Sequence, residues 1–247
     1  MRYLQLGTPW VQGAMRIRKP SAIELEYVQR MMVWLLLRPG GDLGKGHAVQ
    51  LGLGAGTITR FCHGKLGMQT TAVEINPSVI AACHAWFQLP LDAPRLRVVE
   101  QDAAAFAAES ARAGSVQVLC VDLYDHEAAA PALDSAAFYA DCRRLLSDDG
   151  VISVNVFGRR SNIAQSARRI AAAFGETQVR AMEPTREGNS VVVAMKAEPF
   201  PDHSLLAARA RNIETRFHLP ARKWLKMIGP LPPEPPAPAP VRIREVI

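Results

Sequence analysis

His47-Ala-Val-Gln-Leu-Gly-Leu-Gly-Ala-Gly-Thr57 and, after it, Ala72-Val-Glu-Ile-Asn-Pro77 decide how this chain is read. An apolar run ends in glycines at 52, 54 and 56 and passes into a helical pattern. Its backbone can therefore turn tightly and approach a ligand where a Cβ would clash. Glu74 lies twenty positions beyond Gly54 and closes the next apolar run, where a carboxylate can accept hydrogen bonds from both hydroxyls of a ribose. Glycines alone are equally explained by a tight strand-to-helix turn; the acid at this distance adds the ligand. Thr57, Ile58 and Thr59 put no glycine where a dinucleotide fold seats its pyrophosphate, so an adenosyl ligand without phosphates fits better than NAD.

Outward from this stretch, apolar runs alternate with helical patterns, the signature of a parallel sheet covered by helices on both faces. Strands are predicted at 48–53, 70–74, 96–100, 116–122 and 151–156, with helices at 57–64, 77–87, 103–111, 135–146 and 162–174. The runs 178–182 and 190–195, joined by Thr185-Arg-Glu-Gly-Asn189, read as an antiparallel hairpin that completes a seven-stranded, mostly parallel sheet. Residues 1–46 form a short N-terminal section with a helix over Ile23–Leu37, and 47–200 the cofactor-binding domain. A basic helical extension follows at 201–228. The tail at 229–247 has seven prolines between Pro230 and Pro240 and is expected to be polyproline II or unstructured.

Composition narrows the function classes. A chain of 247 residues with 49% hydrophobic content buries a full core. Its net charge of +6 is spread over several local clusters with few aromatics between them, which argues against a nucleic-acid partner. Cys62, Cys83, Cys120 and Cys142 form no C-x-x-C pair, so reduced structural thiols and no metal site are expected. The longest early apolar run, Met31 to Leu37, is too short to span a bilayer, and no signal-peptide pattern opens the chain. A cytoplasmic protein without a membrane partner is the expectation.

Ligands of open α/β sheets bind at the carboxyl ends of the strands, and acids close them here: Glu74, then Asp102 in Gln101-Asp-Ala103, then Asp122 in Val121-Asp-Leu-Tyr-Asp125. Asp102 serves equally as the N-cap of the helix beginning at Ala103. Asp122 ends a nearly wholly apolar strand, where a carboxylate needs a partner, and Asp125 can be an Asx-turn residue.

These residues resemble the spermidine synthase family of aminopropyltransferases over roughly residues 10–195. Gln12-Gly-Ala-Met15, Glu26-Tyr-Val-Gln-Arg-Met-Met32, the glycine loop, Val73 to Pro77, Gln101 to Ala103, the D-x-x-D loop from Asp122 to Asp125 and Phe138-Tyr139 carry the resemblance. It implies a class I methyltransferase-like Rossmann fold and a homodimer. Gly52, Gly54, Gly56, Glu74, Ile75, Asp102 and Ala103 would hold decarboxylated S-adenosylmethionine. Asp122 would assist deprotonation of a polyamine held by Asp125, Tyr124, Gln29 and Gln12, without a metal. Ala55 stands where the family usually carries an acid for the amino end of the decarboxylated cofactor. Arg30 replaces the glutamate of its Gln-Glu pair. Most of the family's N-terminal β-domain has no counterpart, as in a shortened, spermidine-synthase-like branch. Three readings stay open: aminopropyl transfer to an amine such as putrescine, methyl transfer from intact S-adenosylmethionine, and a non-catalytic nucleoside- or polyamine-binding module.

Overall fold

A computed structural model describes residues 1–7, 11–91, 93–123, 133–157 and 160–231, and only the backbone of 160–162. The elements follow in chain order: β1 (Arg2–Leu4), β2 (Gly13–Met15), α1 (Glu26–Met31), β3 (His47–Leu51), α2 (Thr57–Arg60), β4 (Gln69–Glu74), α3 (Pro77–Trp86), β5 (Leu96–Glu100) and α4 (Ala103–Ala108). Then come β6 (Val116–Val121), α5 (Ala136–Leu145), β7 (Leu146–Phe157), α6 (Arg160–Phe174), β8 (Val179–Met182), β9 (Asn189–Met195), α7 (His203–Phe217), α8 (Ala221–Met227) and β10 (Ile228–Gly229).

The main sheet runs β10-β8-β9-β7-β6-β3-β4-β5. Strands β5, β4, β3, β6 and β7 are parallel neighbours, and the expected hairpin β8–β9 is inserted so that β9 pairs antiparallel with both β7 and β8. An eighth strand escapes the sequence reading: Ile228 and Gly229 pair antiparallel with β8. Two residues show no periodicity, so only the return of the chain from α8 creates this strand.

Alternation explains why the central strands read as apolar throughout. In β6, Val118 and Cys120 face one core with Met31 to Leu37, Ile213 and Trp224, whereas Leu119 and Val121 face another with Phe106, Phe138, Leu145 and Ile170. Each side chain in such a strand finds an apolar layer whichever way it points. Residues 203–227 complete one of these layers, since Ala210, Ile213, Ala221 and Trp224 are buried in the core that also holds Val118 and Val151.

The helix expected over 23–37 is shorter and tighter. Leu25 is extended, α1 starts at Glu26, and Met32–Leu36 is 3-10 helical. Every side chain from Met31 to Leu36 is fully buried, so packing on all sides overrides the local preference for an α-helix. The run predicted as a helix at 57–64 likewise becomes a π-turn over Phe61–Leu66, closed by Gly67 in the left-handed region. All four cysteines are free and buried, and burial pushes the thiols of Cys62 and Cys83 up to about 12. Of the tail expected at 229–247, residues 232–247 lie outside the described residues.

Candidate active site

The chain proceeds β3, β4, β5 toward one edge and then crosses back to place β6 on the other side of β3. Two loops therefore part at the carboxyl ends of β3 and β6, leaving a crevice. The backbone fixes this junction: Asp122 N–H donates to Leu51 O at 2.8 Å and Gly52 N–H to Val73 O at 2.8 Å. A Cβ on Gly52 would lie 2.1 Å from Asp122 O, so the first glycine lets the two loops touch. Gly52, Gly54 and Gly56 all have positive φ, at 84°, 51° and 68°, a region that L side chains avoid.

Two buried polar side chains hold the loop from below. Gln50 donates to Gly52 O at 2.6 Å and to Leu53 O at 3.2 Å, and its Oε1 accepts from Thr59 N–H at 3.0 Å and Thr59 Oγ1 at 2.6 Å. One amide thus ties the strand end to the first turn of α2. Gln50→Leu is expected to cost about 2 kcal/mol in a denaturant titration, because it strands the Thr59 donors in the core. Arg60, 4% exposed, donates to Pro20 O, Ala55 O and Phe87 O at 2.9, 2.6 and 2.8 Å, joining the loop to the N-terminal section and the end of α3. Burial lowers its pKa to about 10, so it stays charged at neutral pH.

Glu74 stands at the end of β4 with its carboxylate already aimed. Oε2 accepts from Leu53 N–H and Oε1 from Asn76 N–H, both at 3.0 Å. Beside it Ile75 is 65% exposed, an apolar side chain just past the carboxyl end of β4. Asp102 caps α4 by accepting from Ala105 N–H at 2.8 Å, and Ala103 is buried under it. The N-cap role is therefore real, and the acid still sits at the carboxyl end of β5.

Asp122 forms the floor. Asn155 Nδ2 donates to its Oδ1 at 2.9 Å, and Tyr27 Oη approaches its Oδ2 at 3.4 Å while lying 3.1 Å from Gln12 O. The tyrosine has one proton for two acceptors, so the carboxylate receives one full hydrogen bond and a share of another. Desolvation outweighs these bonds and raises Asp122 to about 6 from its ordinary 3.8. Tyr27, buried next to the carboxylate, is pushed well above the usual phenol range.

Gln12, Gly13, Tyr27, Leu53, Gly54 and Asp122 line one cleft. Gln12 accepts from Leu6 N–H at 2.6 Å through Oε1, and its buried Nε2 has no partner among the described residues. Gln29 is not among the residues lining this cleft; its amide donates to Ile23 O at 2.8 Å and braces the entry to α1. Arg30 also points elsewhere, pairing with Glu26 at 2.6 Å and donating to Glu183 O, so no free cation opposes the cleft from position 30. Ala55 is buried with Leu4, Met15 and Phe87, and a Cβ on Gly13 would come 2.3 Å from its methyl. Strand β2 therefore packs closely on one side of position 55, while Ala55 also lines the cleft. Tyr124 and Asp125 lie outside the described residues. No group of three or more His, Cys, Asp or Glu that could hold a metal ion occurs among the described residues.

Three residues of this site were missing from the sequence reading. Asn155 carries a signal in the sequence: it is a polar residue interrupting Val154-Asn-Val156 near the carboxyl end of an apolar strand, β7. Gln50 interrupts an apolar run two places before Gly52. Tyr27 gave no separate signal, since only the bend after β2 carries it under Asp122.

Residues 40–193 match the profile of the spermine/spermidine synthase domain. The chain belongs to the spermine/spermidine synthase family. A polyamine aminopropyltransferase from Neisseria meningitidis serogroup A is 32% identical over 227 residues, spanning 91% of this chain and 84% of that one. A crystal structure of a probable spermidine synthase from Corynebacterium glutamicum has a TM-score of 0.67 at 20% identity, over 91% of this chain and 85% of that one. Human methyltransferase-like protein 13 in complex with SAH has the same TM-score at 21% identity, over 78% and 91%. Shape therefore places the chain among methyltransferase-like Rossmann folds without separating the two chemistries. Sequence makes the separation, and it favours the synthase family.

Proposed function

We propose that this protein transfers an aminopropyl group from decarboxylated S-adenosylmethionine to a polyamine such as putrescine, with Asp122 as the base. The observation that carries this reading is the desolvated Asp122 carboxylate at the β3/β6 crevice, within the spermine/spermidine synthase family. The cradle suits an adenosyl group: three glycines leave room, Glu74 presents oriented acceptors to a ribose, Ile75 offers adenine an apolar face, and Gln12 Nε2 is a buried donor awaiting an acceptor. Asp102 and Ala103, at the head of α4, take the adenine edge.

The co-substrate supplies a carbon bonded to a sulfonium. A C–N bond forms to the amine as the C–S bond breaks, the electron pair staying on sulfur in methylthioadenosine. Asp122 contributes at the nitrogen. A carboxylate raised to about 6 is ionised at neutral pH yet closer in basicity to the amine than an ordinary aspartate, so it orients the amine and accepts its proton. Asn155 and Tyr27 hold it in place. Asp125 and Tyr124 retain the far end of the polyamine, and Gln29 acts through the placement of α1. A homodimer acting in the cytoplasm, with no nucleic-acid or membrane partner and no metal, completes this reading; no helix among the described residues is long and apolar enough to cross a membrane.

Ala55 supports a second reading, methyl transfer from intact S-adenosylmethionine, because this cleft-lining position carries no acid to select the decarboxylated cofactor's amine. Mass spectrometry of the purified protein with putrescine and either cofactor decides. Spermidine with methylthioadenosine is the expected product pair; methylated amine with S-adenosylhomocysteine would establish the second reading. Glu74→Gln should weaken adenosyl binding about tenfold or more by calorimetry. Its NH2 would replace one acceptor and face the Leu53 or Asn76 N–H, donor against donor.

A further inference from the structure

A second cavity of about 320 Å³ opens between α7 and the turn after α1. Arg38 lines it and also contacts Gln117 O and Asp149 Oδ2, both at 3.4 Å. These residues lie at the amino ends of β6 and β7, the end of the sheet opposite Glu74 and Asp122. The cavity is therefore separate from the catalytic crevice.

Its walls combine apolar surface with unused donors. Leu35, Leu43, Leu205 and Ile213 supply the first. Arg38 is 4% exposed, and among the described residues its hydrogen bonds are those two long contacts through Nη1, its buried Nε having no partner. An arginine so desolvated and so poorly paired is costly unless an acceptor arrives. Arg209 lines the same space and, among the described residues, hydrogen-bonds through Nη1 to Leu36 O at 2.8 Å. Two acids stand near Arg38: Asp149 lies 3.4 Å from its Nη1, and Asp42, paired with Lys45 at 2.7 Å, also feels the Arg38 charge; neither reaches Nε.

Charge distribution points the same way. Residues 203–227 hold six Lys or Arg (Arg209, Arg211, Arg216, Arg222, Lys223 and Lys226) against the single acid Glu214, which accounts for five of the six net positive charges of the chain. Of these, Arg209 lines the cavity itself and adds its positive charge to that of Arg38.

We propose that this cavity binds a small oxyanion, carboxylate or phosphate monoester, carried on a short aliphatic stem. Its head pairs with Arg38 and Arg209 in charge-assisted hydrogen bonds, and its stem lies along Leu35, Leu43 and Leu205. Polyamines would be repelled here, so the ligand is chemically distinct from the substrates of the crevice.

Calorimetric titration of the full chain with hexanoate, hexyl phosphate, inorganic phosphate and hexylamine tests this independently of turnover. Hexanoate, hexyl phosphate or both should bind at least tenfold more tightly than inorganic phosphate and hexylamine; a preference between the first two identifies the head group. Arg209→Gln and Leu205→Glu should each weaken that binding about tenfold or more with an unchanged far- and near-ultraviolet circular dichroism spectrum. Equal binding of hexylamine, no millimolar binding of either anion, or indifference to both variants would overturn the proposal.

Discussion

Asp122→Asn is expected to lower turnover by roughly 10²- to 10⁴-fold, the range for removing a general base, while binding of the adenosyl co-substrate survives. The fold should accept the change. The new amide oxygen can accept from Asn155 Nδ2, and the new NH2 can donate to Tyr27 Oη while that hydroxyl donates to Gln12 O, so every partner of the carboxylate keeps one. Stability should move in the opposite direction to activity. The folded carboxyl titrates near 6, above its ordinary 3.8, so between these values the folded state holds the proton more tightly than the unfolded chain. Asp122 therefore costs nothing below about pH 4, costs progressively more as pH rises, and reaches its full cost above about pH 6. That cost is at most roughly 3 kcal/mol. Thermal unfolding of the variant should thus occur at a higher temperature than wild type at pH 8, and the gap should close near pH 4. Wild-type kcat/KM should fall tenfold per pH unit below about pH 6. A variant that loses co-substrate binding but keeps its turnover at saturation would remove Asp122 from the base role.

Gly52→Ala should be the most damaging single-methyl addition in the glycine loop. The new Cβ would meet Asp122 O at 2.1 Å, and a φ of 84° is strained for alanine. Relief requires separating the loops after β3 and β6, which breaks the Asp122-to-Leu51 and Gly52-to-Val73 hydrogen bonds. Strain and overpacking are each worth about 1–3 kcal/mol, so a loss of roughly 3–5 kcal/mol is expected in denaturant titration, together with loss of adenosyl binding. Gly54→Ala is the informative contrast. Its Cβ would find only Gln12 O at 3.7 Å, leaving the cost of φ alone and a smaller loss of stability.

How much of this was legible beforehand depended on whether the signal was local. Gly54 and Glu74 were readable because a strand, a tight turn and the next strand fix their separation by chain geometry. Asn155 and Tyr27 belong to elements far from Asp122 in sequence, and nothing near either residue encodes that they meet. Gln29 and Arg30 illustrate the converse. The family resemblance placed Gln29 at the substrate, whereas the folded chain shows its amide on Ile23 O and the Arg30 guanidinium on Glu26 and Glu183 O, contacts that depend on where α1 and β8 come to lie.

The amino-acid sequence alone determined the alternation of strands and helices, the glycine turn after β3 and the acids closing the strands, since these follow from residue periodicity and from backbone conformations that only glycine adopts freely. Tertiary structure alone decided the tightening of 32–36 into a 3-10 turn, the eighth strand, the packing of β2 against Ala55 and the partners that surround Asp122. Those features arise from contacts between distant segments, where burial changes both the cost of a charge and the geometry a backbone accepts.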